Sequence, residues 1–239
     1  MLKALRNDLK SNANPEKAEF LKRFFKTGKG EYAEGDVFLG IVVPESRKIA
    51  AKYKDLDRKD VLELLHSQIH EERLIALFIL IMQFNKADEE GKKKIYSLYL
   101  DNAASINNWD LVDSSADKIV GEYLWLQGDR AVSEKVLIDL AKSNDLWERR
   151  IAMLSTFAFI NHGESAMTFT IADILLHDEH DLIHKAVGWL LREAGKKVSH
   201  DAEVAFLKTR YKTMPRTMLR YAIERFPEED RKKYLAGTI

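Results

Sequence analysis

The sequence predicts an all-α fold in which pairs of helices stack into a solenoid, and three observations predict it. Turn-forming residues are scarce, with 4 prolines and 11 glycines among 239 residues, in a chain whose Leu, Ala, Lys and Glu favour long helices. Apolar residues recur at intervals of three and four in Arg73–Phe84, Asp110–Trp125 and Lys185–Glu193, which is the spacing of one helix face. A degenerate repeat also runs through the chain. His70–Leu80, Asp145–Phe157, Asp181–Glu193 and Pro215–Phe226 each set basic residues just before a small residue, then apolar residues at helical spacing. The small residues are Ala76, Ala152, Ala186 and Ala222, with Ser114 midway between the first two, so the intervals are 38, 38, 34 and 36. A period of that size with two helices per unit marks a HEAT-type array. The expected architecture is a right-handed solenoid of HEAT-like antiparallel helix pairs, one domain over residues 1–239. Its inner helices would line a concave face, with basic residues at equivalent places forming a stripe.

Taken in order, the elements support that expectation. Asn14, Pro15 and Glu16 suit the N-cap and first two positions of a helix. Thr27–Asp36 (TGKGEYAEGD) holds three glycines and is the most loop-like segment. Gly30 and Gly35 have the spacing of a phosphate-binding loop, but Asp36 and Val37 stand where Lys and Ser or Thr are required, so an inter-helix loop is the better assignment. His66 and His70 are four apart, yet Ser67 occupies the place of the Glu that a metalloprotease helix needs, which leaves two ordinary helix histidines. The most apolar run, Ile75–Met82, has eight residues, far short of the ~20 of a spanning helix. Asn107 or Asn108 suits the cap of the following helix. In His177–Asp181 (HDEHD), Asp and His are natural caps at a helix start, so no metal site is assigned.

Composition excludes several chemistries. There is no cysteine, hence no disulfide framework, thiolate zinc site, cysteine-ligated cluster or thiol nucleophile. No cofactor is expected. The N-terminus lacks the apolar core of a signal peptide, and the expected setting is cytoplasmic, without a membrane anchor. A hydrophobic fraction of 46% with 32% charged residues belongs to a folded chain.

Two constellations carry candidate chemistry. Trp109 and Asp113 lie four apart and share a helix face, with Asp110 in the first turn. One interpretation is capping plus a buried tryptophan. The other is a carboxylate beside an aromatic wall, a pairing that attracts a cationic ligand or transition state. Trp precedes Arg by three residues at Trp147–Arg150 and at Trp189–Arg192. These are either core tryptophans with a surface arginine, or guanidinium groups from successive inner helices that clamp phosphates.

At these residues the sequence resembles the AlkD family of DNA glycosylases, the HEAT-like class of alkylation repair. The resemblance is carried by Asn14–Ala50, by NNWDLVDSSA (Asn107–Ala116), by NDLWERRIAML (Asn144–Leu154) and by HKAVGWLLREAGK (His184–Lys196), in the family's order. It implies a HEAT-like solenoid with a concave DNA-binding face. It also implies hydrolysis of the N-glycosidic bond of N3- and N7-alkylated purines in double-stranded DNA, by a monomer without lyase activity. Such lesions are cationic and leave readily, so the enzyme's task is to stabilise an oxocarbenium-like sugar and to position water. By the family pattern Asp113 is that carboxylate, and Trp109 and Trp189 pack against the lesion's deoxyribose. Arg150 holds the nearby phosphate, aligned in preference to Arg149, while Arg149, Lys185, Arg192 and Phe24 complete the expected DNA contacts. Phe24 is a departure, since the best-known members carry Tyr there. Two alternatives are a non-catalytic HEAT-like protein that binds DNA structures and a peptide-binding HEAT scaffold.

The formal net charge is +0, yet it is unevenly spread. Leu126–His184 carries five basic and ten acidic residues, whereas Lys185–Ile239 carries thirteen basic and seven acidic ones. A neutral total is therefore compatible with a positive face, expected around Arg150, Lys185 and Arg192.

Overall fold

The computed structural model describes residues 1–239 and contains helices, turns and one isolated parallel bridge, Val37 with Ile69. The chain divides into two compact units, Met1–Ser115 and Ala116–Ile239.

The first unit contains α1 (Leu2–Ser11), α2 (Pro15–Phe24), α3 (Val43–Lys52), α4 (Arg58–Leu65), α5 (His70–Lys86), α6 (Glu89–Asp101) and all but the last residue of α7 (Trp109–Ala116). Asn14 caps α2 by accepting from the Lys17 N–H at 3.0 Å, with Pro15 in the first turn, as the sequence predicts. Asp57 and Asp88 cap α4 and α6 in the same way. Helix α5 is the core: Ile75–Leu80 and Phe84 are buried on every side, with α3 and α4 packed against it. Burial of each such aliphatic side chain contributes ~1.5–3 kcal/mol. The apolar run read from the sequence is therefore an enclosed core helix, and no helix of the structure is long and apolar enough to cross a membrane.

Buried polar groups fix the connection into α5. The Glu71 carboxylate accepts from the backbone N–H groups of Leu39, Gly40 and Ile41 at 2.8–3.2 Å. Gly40 has φ +80°, and a Cβ there would overlap the Asn14 carbonyl, so only glycine lets this strap lie against the start of α2.

The second unit opens with a single π-helical turn (Asp117–Gly121). It continues through α8 (Glu122–Leu126), α9 (Arg130–Ala141), α10 (Leu146–Asn161), α11 (Ala166–Ile174), α12 (Asp181–Lys197), α13 (His200–Lys208), α14 (Arg216–Ala222) and α15 (Glu228–Ala236). Helix α10 packs on α9, α11 and α12, and α12 packs in turn on α13 and α14. At Gly188 a Cβ would overlap the Met218 carbonyl, so glycine permits the close approach of α12 and α14.

The repeat survives as packing. Ala76, Ala152, Ala186 and Ala222 are all fully buried, in α5, α10, α12 and α14. The remaining member is displaced by one residue. Ser114 is half-buried, and its neighbour Ser115 is the enclosed one, donating to the Leu111 carbonyl at 2.6 Å and lying 2.9 Å from the Tyr99 hydroxyl.

Candidate active site

In the first unit, α7 carries Trp109 in its opening turn and Asp113 one turn later; both are half-buried. Asn108 is the cap, since its side-chain oxygen accepts from the Trp109 N–H at 2.8 Å and its carbonyl from the Val112 N–H at 3.1 Å. Trp109 lies on an aromatic cluster. Phe25 stacks on it at 5.3 Å, Phe24 meets it edge-on at 6.0 Å, and Phe25 stacks on Phe38 at 5.1 Å. Phe24 is 52% exposed and stacks on Phe20, itself 63% exposed, at 6.0 Å. Two solvent-facing phenyl rings thus continue the surface that Trp109 begins.

Beneath Trp109 is a buried network of charge. The His70 ring is 4.6 Å from Phe38 and 5.1 Å from Phe25. Its Nε2 lies 2.7 Å from Asp110 Oδ2 and its Nδ1 3.3 Å from Asp36 Oδ2. Arg73 donates to Asp36 Oδ1 at 2.7 Å, and the Asn108 side-chain amide donates to Asp36 at 3.4 Å. Burial works to deprotonate His70, but the attraction of Asp110 and hydrogen bonds to both carboxylates outweigh it, and its pKa rises to about 9. Burial likewise opposes ionisation of Asp36, but hydrogen bonding to His70 and the charge of Arg73 hold its pKa below the ordinary value.

In the second unit, Asp145 caps α10 by accepting from the N–H groups of Trp147 and Glu148. Trp147 is buried. Arg149 donates to Asp178 Oδ2 at 2.6 Å and to the carbonyls of Ser143 and Asn144 at 3.0 Å. Arg150 is 4% exposed and donates through Nη1 to the Leu182 carbonyl, in the first turn of α12. Lys185 pairs with Asp181 at 2.8 Å, one turn back on α12. Trp189 is half-buried, 5.9 Å from Phe157 of α10. Arg192 pairs with Glu224 and stands 3.7 Å from Glu193. Packing of α10 on α12 brings Arg150 and Trp189 to one seam, whereas Lys185 pairs within α12 and Arg192 turns to Glu224 beyond α14. The HDEHD tract serves as capping: His180 accepts from the Leu182 N–H, and Asp178 takes both Arg149 and the His180 N–H. On α13, Glu203 is buried against Gly195, and its Oε1 has no hydrogen-bond partner. Burial drives its pKa up to about 8 against the pull of Arg192.

The family model for DNA alkylation repair enzymes matches residues 5–226. The chain belongs to that family. A solved structure described as a predicted DNA alkylation repair enzyme from Enterococcus faecalis aligns with a TM-score of 0.69 at 16% identity, over 91% of this chain and 98% of that one. At that identity the likeness is one of fold, and it agrees with the all-α architecture of helix pairs predicted above. No curated protein sequence matches.

Within this DNA alkylation repair family member, sequence reasoning passed over two features. His70 is not an ordinary helix histidine but a buried ion-pair centre. Its partners lie 34 and 40 residues away, so no local spacing announces them. Phe20 is the outer ring of the exposed pair with Phe24. Their i, i+4 spacing is visible in the sequence, but their exposure is not.

Proposed function

We propose that this protein is a monofunctional DNA glycosylase that hydrolyses the N-glycosidic bond of cationic N3- and N7-alkylated purines in duplex DNA. The observation that carries this assignment is the construction of α7. An indole is held by a capped first turn on an aromatic bed, with a carboxylate one turn later on the same face, and neither side chain is enclosed. A carboxylate and a π face both favour positive charge. The charge to be stabilised is that of the deoxyribose as its bond to the base lengthens.

In the proposed reaction the alkylated base departs with its bonding electrons and becomes neutral, so no strong general acid is required. Asp113 stabilises the oxocarbenium-like sugar and orients the attacking water, whose proton it accepts as the C1′–O bond forms. Trp109 packs against the sugar, a role that the family resemblance also assigns to Trp189. Arg150 is assigned the phosphate beside the lesion, as the family resemblance implies. Phe24, Arg149, Lys185 and Arg192 are the further DNA contacts. No lysine Schiff base is involved, so the product is an abasic site in an unbroken strand.

Methylated duplex DNA, incubated with the protein and analysed by chromatography, should release 7-methylguanine and 3-methyladenine and leave strands intact until heated in alkali. Salt-sensitive duplex binding with no released base would instead identify a non-catalytic DNA-binding protein.

A further inference from the structure

The buried network under α7 exceeds what packing requires. His70 and Arg73 bring two cations, and Asp36 and Asp110 two carboxylates, into a region where His70, Arg73 and Asp36 are almost wholly enclosed. Hydrophobic residues of similar volume would stabilise such a site as well or better. What the charged set adds is direction. His70 touches the catalytic helix by two routes. One is its hydrogen bond to Asp110, the residue after Trp109. The other is a stack of rings from His70 through Phe25 to Trp109, with centroid spacings of 5.1 and 5.3 Å. A third tie is the Asn108 cap, whose amide also reaches Asp36. The His70 backbone N–H donates to the Val37 carbonyl at 2.9 Å, so the histidine is itself fixed to the segment that carries Asp36.

We propose that His70 is a positioning residue for the glycosylase reaction assigned above: acting through Asp110 and Phe25, it fixes the first turn of α7 and so aims Trp109 and Asp113 at the lesion sugar. This role rests on that assignment for its catalytic consequence, but its structural part is testable without it. The charged groups that face the imidazole are Asp36 from the segment before α3, Asp110 from α7 and Arg73 from α5. Glu71 and Glu72 on its own helix are engaged elsewhere, by the backbone of Leu39–Ile41 and by Arg6. The imidazolium persists below pH about 9, so the anchor is charged at neutral pH and is lost as pH rises through that value.

The test has two readouts. In protein labelled with ¹⁵N-tryptophan, the Trp109 indole resonance, assigned by its loss in Trp109→Phe, should shift with a midpoint near pH 9 in the wild type. It should not titrate there in His70→Gln, which keeps a hydrogen-bonding group but cannot hold the charge. In single-turnover release of 7-methylguanine from methylated duplex DNA at pH 7.5, His70→Gln should lose about tenfold or more in rate, with duplex affinity changed by less than about twofold. A wild-type resonance that stays flat from pH 7 to 10, or a variant that excises at the wild-type rate, overturns the proposal. If His70→Gln does not fold, Asp110→Asn takes its place with the same expectations. Should the wild type release no base, the glycosylase assignment fails, and the indole titration alone decides whether His70 positions Trp109.

Discussion

In the first unit, His70 and Arg73 are buried against Asp36 and Asp110, and the aromatic surface above them faces solvent. In the second, Glu203 is buried with no hydrogen-bond partner for Oε1, and Arg149, Arg150 and Arg192 are turned toward internal acceptors. One unit spends buried charge on holding a short helix in place. The other ties the cations proposed to meet DNA to acceptors of its own and tolerates a carboxyl that stays protonated. The contrast teaches that a residue type suited to a ligand is equally suited to the protein's own groups. A guanidinium fork satisfies a backbone carbonyl as readily as a phosphate oxygen, and distance in the folded chain decides which it meets.

The largest expected effect concerns α7. Asp113→Asn should lower single-turnover base release by about 100-fold or more while leaving duplex affinity within about twofold. Excision at the wild-type rate would remove Asp113 from the mechanism and with it the distinction between the two units. Next comes the second unit. Arg149→Ala leaves Asp178 with only the His180 N–H and strips the Ser143 and Asn144 carbonyls. Denaturant unfolding should report a loss of about 2–4 kcal/mol. Duplex affinity should fall as well, since Arg149 is a proposed DNA contact, and unchanged stability would remove its part in the scaffold.

A smaller effect is expected at Glu203, and its sign follows from protonation. An unfolded glutamate ionises near pH 4.5, whereas the folded group holds its proton to about pH 8. Folding therefore loses stability as pH rises through that window, and the loss is complete above it. Glu203→Gln removes the ionisation, so it should stabilise the protein by about 2 kcal/mol at pH 8.5 and have no effect at pH 4. A pH-independent difference would mean that packing, not charge, governs the site. The smallest effect is reserved for Lys185, whose pair with Asp181 is solvent-accessible. Lys185→Ala should change stability by less than about 1 kcal/mol. If Lys185 meets a phosphate, it should also flatten the logarithmic salt dependence of duplex binding by about one unit.

Much of the fold was legible because helices are written locally. The cap at Asn14, the enclosed run in α5 and the small residues at Ala76, Ala152, Ala186 and Ala222 all follow from spacing and residue type. Ser114 illustrates the limit. A period measured from a distance lands within one residue, but which of two adjacent serines faces inward depends on the rotation of α7 against Tyr99. The candidate site was legible in its helical parts, since Trp109 and Asp113 share a face by spacing alone. It was not legible where remote segments meet. By motif Asp36 is only a loop residue that disqualifies a phosphate-binding loop, yet in the fold it accepts from Arg73 and pairs with His70.

The sequence by itself determined that the chain is all-helical, which positions begin its helices and which small residues lie at their contacts. Each of these depends on interactions within about a turn of helix or on a repeated pattern of side-chain volume. Only the tertiary structure decided the fate of the ionisable groups. An imidazole with carboxylates brought from 34 and 40 residues away becomes a lasting cation, and a carboxyl buried against Gly195 becomes a neutral acid. Charge is set by desolvation and by neighbours within a few ångströms, and neither is fixed until the chain has folded.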